Sequence, residues 1–386
     1  MQHIIVYAIT AGSLFLLALA TVAIPRKVNA RANYWLAFFL FSFGCILLDR
    51  VLFDIHTYDK YPIWEGLLEV TRFAMAPALY FSVSYFTIPN RKLKSSDYLH
   101  FIPFFLFFLF VLTVAFRVNH SSIFAWYDHL PVGVRRGVAL TVFVSLKVQM
   151  VLYWILSYVQ LVRHLHNIRM FASTLEPVSL SWLRYFLLGL VGAIFLSLNE
   201  VLLFVSVIVP LTHFGYLILT FYMGYFSLRQ QEIYPYQPND VVEIADIIAA
   251  DTPTSRHKRI PPEDLAEAKK KLMHVIEKER AHLDPDLGLP QLAAKVLLST
   301  HDLSFVINEG FNENFFQFIN RYRIEEAKRL LRSDAHKHLN ILGIAYESGF
   351  RSKSTFNNTF KKLTGQSPSQ FMQSDSGLTE EIAQKI

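Results

Sequence analysis

Lys353, Asn357 and Lys361 recur at four-residue spacing, with Ser354 and Asn358 beside them. On a helix this spacing gathers side chains along one stripe. Phe356 and Phe360 are also four apart and form a separate, core-seeking stripe. Amide, hydroxyl and ammonium groups grouped in this way suit base edges and phosphates in a major groove. A second set of polar residues stands where charge is costly. Asp49, Arg50, Glu65, Glu69, Arg72, Lys147 and Glu200, with Asn199 beside the last, interrupt long apolar runs. Near the middle of a bilayer each would cost about 2.5–3.5 kcal/mol, so each is expected to face a bundle interior and find a partner. Glu65, Glu69 and Arg72 fall on one helical stripe, and Glu69 can pair with Arg72. Two readings fit them: a polar ligand pocket or signal-sensitive network, and internal pairing that fixes helix packing.

Catalytic constellations are missing from the pattern. There is no aspartate pair with protease-like spacing, no metalloprotease helix motif and no Gly-x-Ser-x-Gly. The last apolar stretch has no lysine for a Schiff base. His56, His100, His120, His129, His164, His166 and His213 show no ligand spacing, and His164 and His166 lie two apart, off a common helical face. No catalytic residue, metal site or cofactor is expected. The single cysteine, Cys45, lies in an apolar run and reads as a small buried hydrophobe.

The elements that must position these residues divide the chain. Of 386 residues, 53% are hydrophobic and 18% charged, against about 25% charged in an ordinary soluble domain. Residues 1–228 are almost continuously apolar, whereas 240–386 read as a charged, helical, soluble segment. The net charge of +6 suits nucleic acid and an anionic membrane face equally well. Seven apolar stretches approach the length of a transmembrane helix: 3–24, 33–53, 63–88, 98–118, 138–162, 180–209 and 212–228. The last two are separated only by a turn at Pro210, so six spans is the nearest alternative. The first stretch lacks basic residues before it and reads as a retained helix, not a signal peptide.

Loop charges orient the bundle. The first loop holds Arg26, Lys27 and Arg31, the third Arg91, Lys92 and Lys94, and the fifth Arg163 and Arg169. The second holds only Lys60 and the sixth no lysine or arginine, while the fourth dissents with Arg117, Arg135 and Arg136. This balance predicts a periplasmic N-terminus and a cytoplasmic C-terminus with seven spans. Tyr34, Trp35, Tyr61, Trp64, Trp182 and Tyr185 suit headgroup depth at the span ends.

Residues 229–262 read as a linker, interrupted by Pro235, Pro238, Pro253, Pro261 and Pro262. Val241–Ala250 can form a short helix. The basic cluster Arg256–Arg259 suits lipid headgroups or DNA phosphates, or simply a solvated linker. Leu265, Ala268, Leu272, Val275 and Ile276 then recur at helical spacing in an amphipathic lead-in helix. Two helix-turn-helix patterns follow. In the first, Pro290 suits the first turn of a helix and Ser299 caps the next. A long helix from about Phe315 to Arg332 carries Arg321, Arg323, Lys328 and Arg329, which make it basic. In the second pattern Gly349 permits the turn, Ser352 caps the next helix and Gly365 ends it.

The run Ile341-x-x-Ile344-Ala345-x-x-x-Gly349-Phe350-x-Ser352-x-Ser354-x-Phe356-x-x-x-Phe360-Lys361-Lys362-x-x-Gly365-x-Ser367-Pro368 resembles the AraC/XylS family signature. Asn314–Leu331 resembles that family's connecting helix, and together the similarity covers roughly residues 283–371. The resemblance implies an all-α domain at 263–373: a first helix-turn-helix at 289–312, a connecting helix at 315–332 and a second helix-turn-helix at 340–365, before a tail at 374–386. Two recognition helices would enter successive major grooves of double-stranded DNA. By position it implies DNA contacts from His301, Ser304 and Phe305 in the first unit, and from Lys353, Ser354, Asn357 and Asn358 in the second. Arg351 and Lys361 suit phosphate. Phe305 departs from the arginine common at that position and can make only apolar contact, and surface or core filling fits His301 and Phe305 as well. Asn312 replaces a turn glycine but tolerates the left-handed conformation.

The whole chain therefore reads as a seven-helix membrane sensor (1–228), a linker (229–262) and a DNA reader in the bacterial inner membrane. Its expected partners are DNA, membrane lipid, a second copy of the chain and an unidentified small-molecule or periplasmic signal. The alternative is a multi-span receptor or transporter with a regulatory interaction tail.

Overall fold

A computed structural model describes residues 2–23, 29–61, 67–88, 90–117, 130–202, 208–250, 262–333 and 339–373. Glu65, the cluster Arg256–Arg259 and the tail 374–386 lie outside them, as does the side chain of Glu200. Among the described residues the fold is all-α, with one isolated β-bridge. The chain forms two compact units, residues 1–164 with 180–233, and residues 165–179 with 234–386.

The first unit is built from α1 (Gln2–Ala23), α2 (Ala30–Asp54), α3 (Arg72–Thr87), α4 (Ile102–Arg117), α5 (Val132–Asn167), whose last turn belongs to the second unit, α6 (Ser181–Leu202) and α7 (Ile208–Arg229). Each expected apolar stretch thus contains a helix. By length and composition, four helices among the described residues could cross a membrane: Ile4–Thr21, Ala30–Asp54, Ser95–Thr113 and Val132–Met170. The third expected span is shortened, because a 3₁₀ turn at Leu68–Thr71 precedes α3, which is 16 residues long.

Helix α2 packs between α1 and α3, and α7 packs on α1 and α6. Small residues allow the close approaches. A Cβ added to Gly189 would stand 2.6 Å from Leu219 Cδ2, and one on Gly44 would stand 2.8 Å from Phe15 Cε1. Leu16, Leu106 and Phe195 are exposed, so the unit presents apolar side chains outward. Its ionisable residues are partly paired. Glu69 binds Arg72, Tyr58 donates to Asp49 Oδ1 at 2.7 Å, and Arg50 meets Asp54 at 3.3 Å. Lys147 lies over the Phe143 ring.

The second unit consists of the segment 165–179, α8 (Pro238–Ala250), α9 (Pro262–Glu277), α10 (Leu289–Val296), α11 (Thr300–Phe311), α12 (Phe315–Arg332), α13 (Ile341–Glu347) and α14 (Lys353–Thr364). The lead-in helix α9 buries Ala268, Leu272, Val275 and Ile276, and packs on α10 and α11. Helix α12 runs between the two halves of the unit and contacts α11, α13 and α14. One face of it joins Ile324, Ala327 and Leu330 to Ile344, Ala345, Phe350, Phe356 and Phe360 in a single core.

Candidate nucleic-acid interface

Each helix that carries a proposed DNA contact is started by a side chain that satisfies otherwise orphaned amides. Ser299 Oγ accepts from Asp302 N at 3.1 Å at the start of α11. Asn314 and Gln317 form a reciprocal capping box at the start of α12. Asn340 Oδ1 accepts from Gly343 N at 2.8 Å, and Ser352 Oγ from Thr355 N at 3.2 Å. Asn312 ends α11 at φ 54°, and Gly365 ends α14 at φ 81°. Gly349 has φ 84°, and a Cβ there would lie 2.8 Å from the His282 carbonyl oxygen. Only glycine lets the second turn sit this close to the backbone at 282–283.

The core stripe Phe356–Phe360 of α14 is fully buried and turns the opposite face outward. Lys353, Ser354, Asn358 and Lys361 are exposed there. Asn357 is half-buried, and its Oδ1 has no hydrogen-bond partner among the described residues. Arg351 lies beside these groups and pairs with Asp286. The five residues of α14 therefore share one helix and present cations, hydroxyl and amides together.

On α11, His301, Ser304 and Phe305 are half-buried. His301 Nε2 lies 3.9 Å from Asp246 of α8, and Thr300 N donates to Glu243 Oε2 of α8 at 2.9 Å. Helix α8 thus meets the start of α11, a contact with no signal in the sequence pattern.

The cations of α12 do not make the open basic face that composition suggests. Arg321 binds Glu313, Lys328 binds Glu325, and Arg329 binds Glu326. Arg323 is fully buried. Its Nε donates to the His282 carbonyl at 2.8 Å, Nη2 to the Asp284 carbonyl at 2.8 Å and to Ser173 Oγ at 2.9 Å, and Nη1 to the Ser173 carbonyl at 3.2 Å. Burial lowers the Arg323 pKa to about 10, which leaves it charged at neutral pH.

Sequence reasoning also missed the segment 165–179. Its backbone pairs with α10, through Leu289 N to the Phe171 carbonyl at 2.8 Å and an antiparallel bridge between Ala172 and Gly288. Thr174 Oγ1 donates to the Pro285 carbonyl at 2.7 Å, and Asn320 Nδ2 to the Ser173 carbonyl at 3.1 Å. Glu176 accepts from Ser352 Oγ at 2.5 Å and from the Thr355 hydroxyl, at the start of α14. The only available hint was Glu176 itself, the one acidic residue between Arg163 and Ser181 in an otherwise basic loop.

His282 is buried, with Nδ1 3.0 Å from the Ile276 carbonyl, and burial holds its imidazole below the usual histidine range. The folded state therefore favours the neutral ring. Its stabilising contribution is complete above the unfolded value of 6.5 and is lost as pH falls below it. The thermal midpoint of the second unit should drop over that window, and His282→Gln should flatten the slope. Glu326 is held below the usual carboxylate range by the Arg329 hydrogen bond and by Arg280, so its contribution fades only below 4.5. A melt series with no wild-type loss between neutrality and that lower limit would refute the assignment.

A helix-turn-helix domain family matches residues 292–374, from α10 through α14. The C-terminal part of the chain carries an AraC-type helix-turn-helix domain. The AraC-type domain is a binding module, not an enzyme. An uncharacterized HTH-type transcriptional regulator of Staphylococcus aureus strain COL is 34% identical over 110 residues, covering 28% of this chain and 14% of the relative. Its counterparts in strains MSSA476 and N315 have the same identity and coverage. The chain thus spans about a seventh of the length of these curated relatives. No solved structure matches the chain.

Proposed function

We propose that this chain is a membrane-anchored, one-component transcription regulator of the bacterial inner membrane. Its AraC-type domain binds double-stranded DNA sequence-specifically through α11 and α14, and a membrane or periplasmic signal controls that binding. One observation carries the reading: Lys353, Ser354, Asn358 and Lys361 stand exposed together on a capped helix of a helix-turn-helix unit, above a wholly aromatic core stripe. His301, Ser304 and Phe305 contribute from α11, Asn357 adds its amide, and Arg351 and Lys361 hold phosphate. Four helices long and apolar enough to cross a membrane among the described residues, with exposed apolar side chains, support a multi-span anchor, and the loop charges favour a periplasmic N-terminus and a cytoplasmic AraC-type domain. Lipid surrounds the anchor, and a second copy supplies the paired reader. Asp49, Arg50, Glu65, Glu69, Arg72, Lys147 and Glu200 form the polar part of the sensor. The signal acts by binding two arrangements of the bundle unequally.

The test is DNA binding by the full-length chain in lipid nanodiscs. Affinity for duplex DNA should fall steeply as salt rises. Lys353→Ala should cost about 1–3 kcal/mol and relax sequence preference if Lys353 reads a base. An equal loss on every sequence would assign it to phosphate, and absence of salt-dependent binding by the wild type would remove the reading. A reporter fused after Ile386 should be active only in a cytoplasmic form.

A further inference from the structure

Both recognition helices begin against carboxylates that lie outside the matched helix-turn-helix segment. Glu176 of the segment 165–179 takes hydrogen bonds from Ser352 and Thr355 at the start of α14. Glu243 of α8 takes the Thr300 amide at the start of α11, and Asp246 faces His301. The two segments share a place in the chain. One joins α5 to α6 and the other follows α7, so each is the stretch of the second unit that directly adjoins apolar helices.

The N-terminus of a helix favours an anion, and in a protein–DNA complex that anion is commonly a phosphate. A carboxylate already held there competes with phosphate for the same donors and repels it. The contact is also not loosely made. Arg323 grips the carbonyl and hydroxyl of Ser173, Asn320 holds the same carbonyl, and Leu289 pairs with Phe171, which together fix the backbone that carries Glu176. Glu176 itself is exposed, as a group exchanged for phosphate must be.

Resting on the DNA-binding reading above, we propose that the segment 165–179 is an inhibitory clasp on the DNA reader. When it is docked, Glu176 occupies the start of the second recognition helix in place of a DNA phosphate. Helix α8 does the same to the first recognition helix through Glu243 and Asp246. Because the clasp is continuous at both ends with α5 and α6, a rearrangement of those helices that withdraws it frees the Ser352 and Thr355 hydroxyls for DNA. The signal therefore acts on the reader by relieving a competing anion.

The experiment compares wild-type chain, Glu176→Gln and Glu267→Gln, all full length in nanodiscs, binding one mixed-sequence duplex at low salt. Glu267 is an exposed carboxylate on α9 that pairs with Lys271 of the same helix, so it controls for the change of net charge. Circular dichroism confirms equal helicity. Glu176→Gln should bind about threefold or more tightly than wild type, while Glu267→Gln stays near wild type. Unchanged or weaker binding by Glu176→Gln overturns the clasp and leaves the DNA reading standing. Equal tightening by both variants also overturns it, as a general charge effect. If no protein binds the duplex even at low salt, the DNA reading falls and takes the clasp with it.

Discussion

Arg323→Ala is expected to destabilise the second unit by about 3–5 kcal/mol, the range for breaking a buried charged network. The guanidinium is fully buried and reaches three carbonyls, those of Ser173, His282 and Asp284, together with the Ser173 hydroxyl. Alanine would take the guanidinium donor from the buried His282 carbonyl and leave the Ser173 carbonyl to Asn320 and the Asp284 carbonyl to the Leu287 amide. The same substitution would also weaken the hold of α12 on the segment 165–179, because Asn320 alone would then bind the Ser173 carbonyl. Arg323→Lys should recover only part of the loss, since one ammonium cannot span carbonyls on separate segments as the planar fork does. Hydrogen exchange of the α12–α14 amides in the full chain is the measurement. Protection equal to wild type in Arg323→Ala would show that the network contributes nothing net.

Phe356→Ala is expected to cost about 3–5 kcal/mol, the usual range for deleting a large aromatic from a core. Phe356 is fully buried, with ring centroids 5.3 Å from Phe350 and 5.6 Å from Phe360. Those three rings, with Ile324 and Ala327 of α12, hold α14 against the rest of the unit. DNA affinity should therefore fall on every sequence, together with helix protection. Lys353→Ala should differ by lowering affinity with the fold intact. Full affinity in Phe356→Ala would mean that the reader does not depend on how α14 is seated.

Much of the second unit was legible because its determinants are local. A cap such as Ser352 or Asn314 acts within three residues, Gly349 and Gly365 answer a backbone requirement at their own positions, and the Phe356–Phe360 pair marks one face by spacing alone. The same holds for the apolar runs of the first unit, where composition over a window suffices to indicate a helix. Periodicity was a poorer guide to where a run breaks, as the 3₁₀ turn before α3 shows.

The long-range contacts were not legible. Arg323 looked like one more cation on a basic helix, yet tertiary packing buries it, while Arg321, Lys328 and Arg329 spend their charge on neighbouring glutamates. Ser173, Thr174 and Glu176 carry no motif, and the hydrogen bonds they make span more than a hundred positions of chain. Sequence alone determined which helices form and which residues could face DNA, because those depend on short-range sterics and on side-chain period. Only the tertiary structure decided which of those residues are already engaged, because burial and charge pairing depend on which distant segment comes to rest on them.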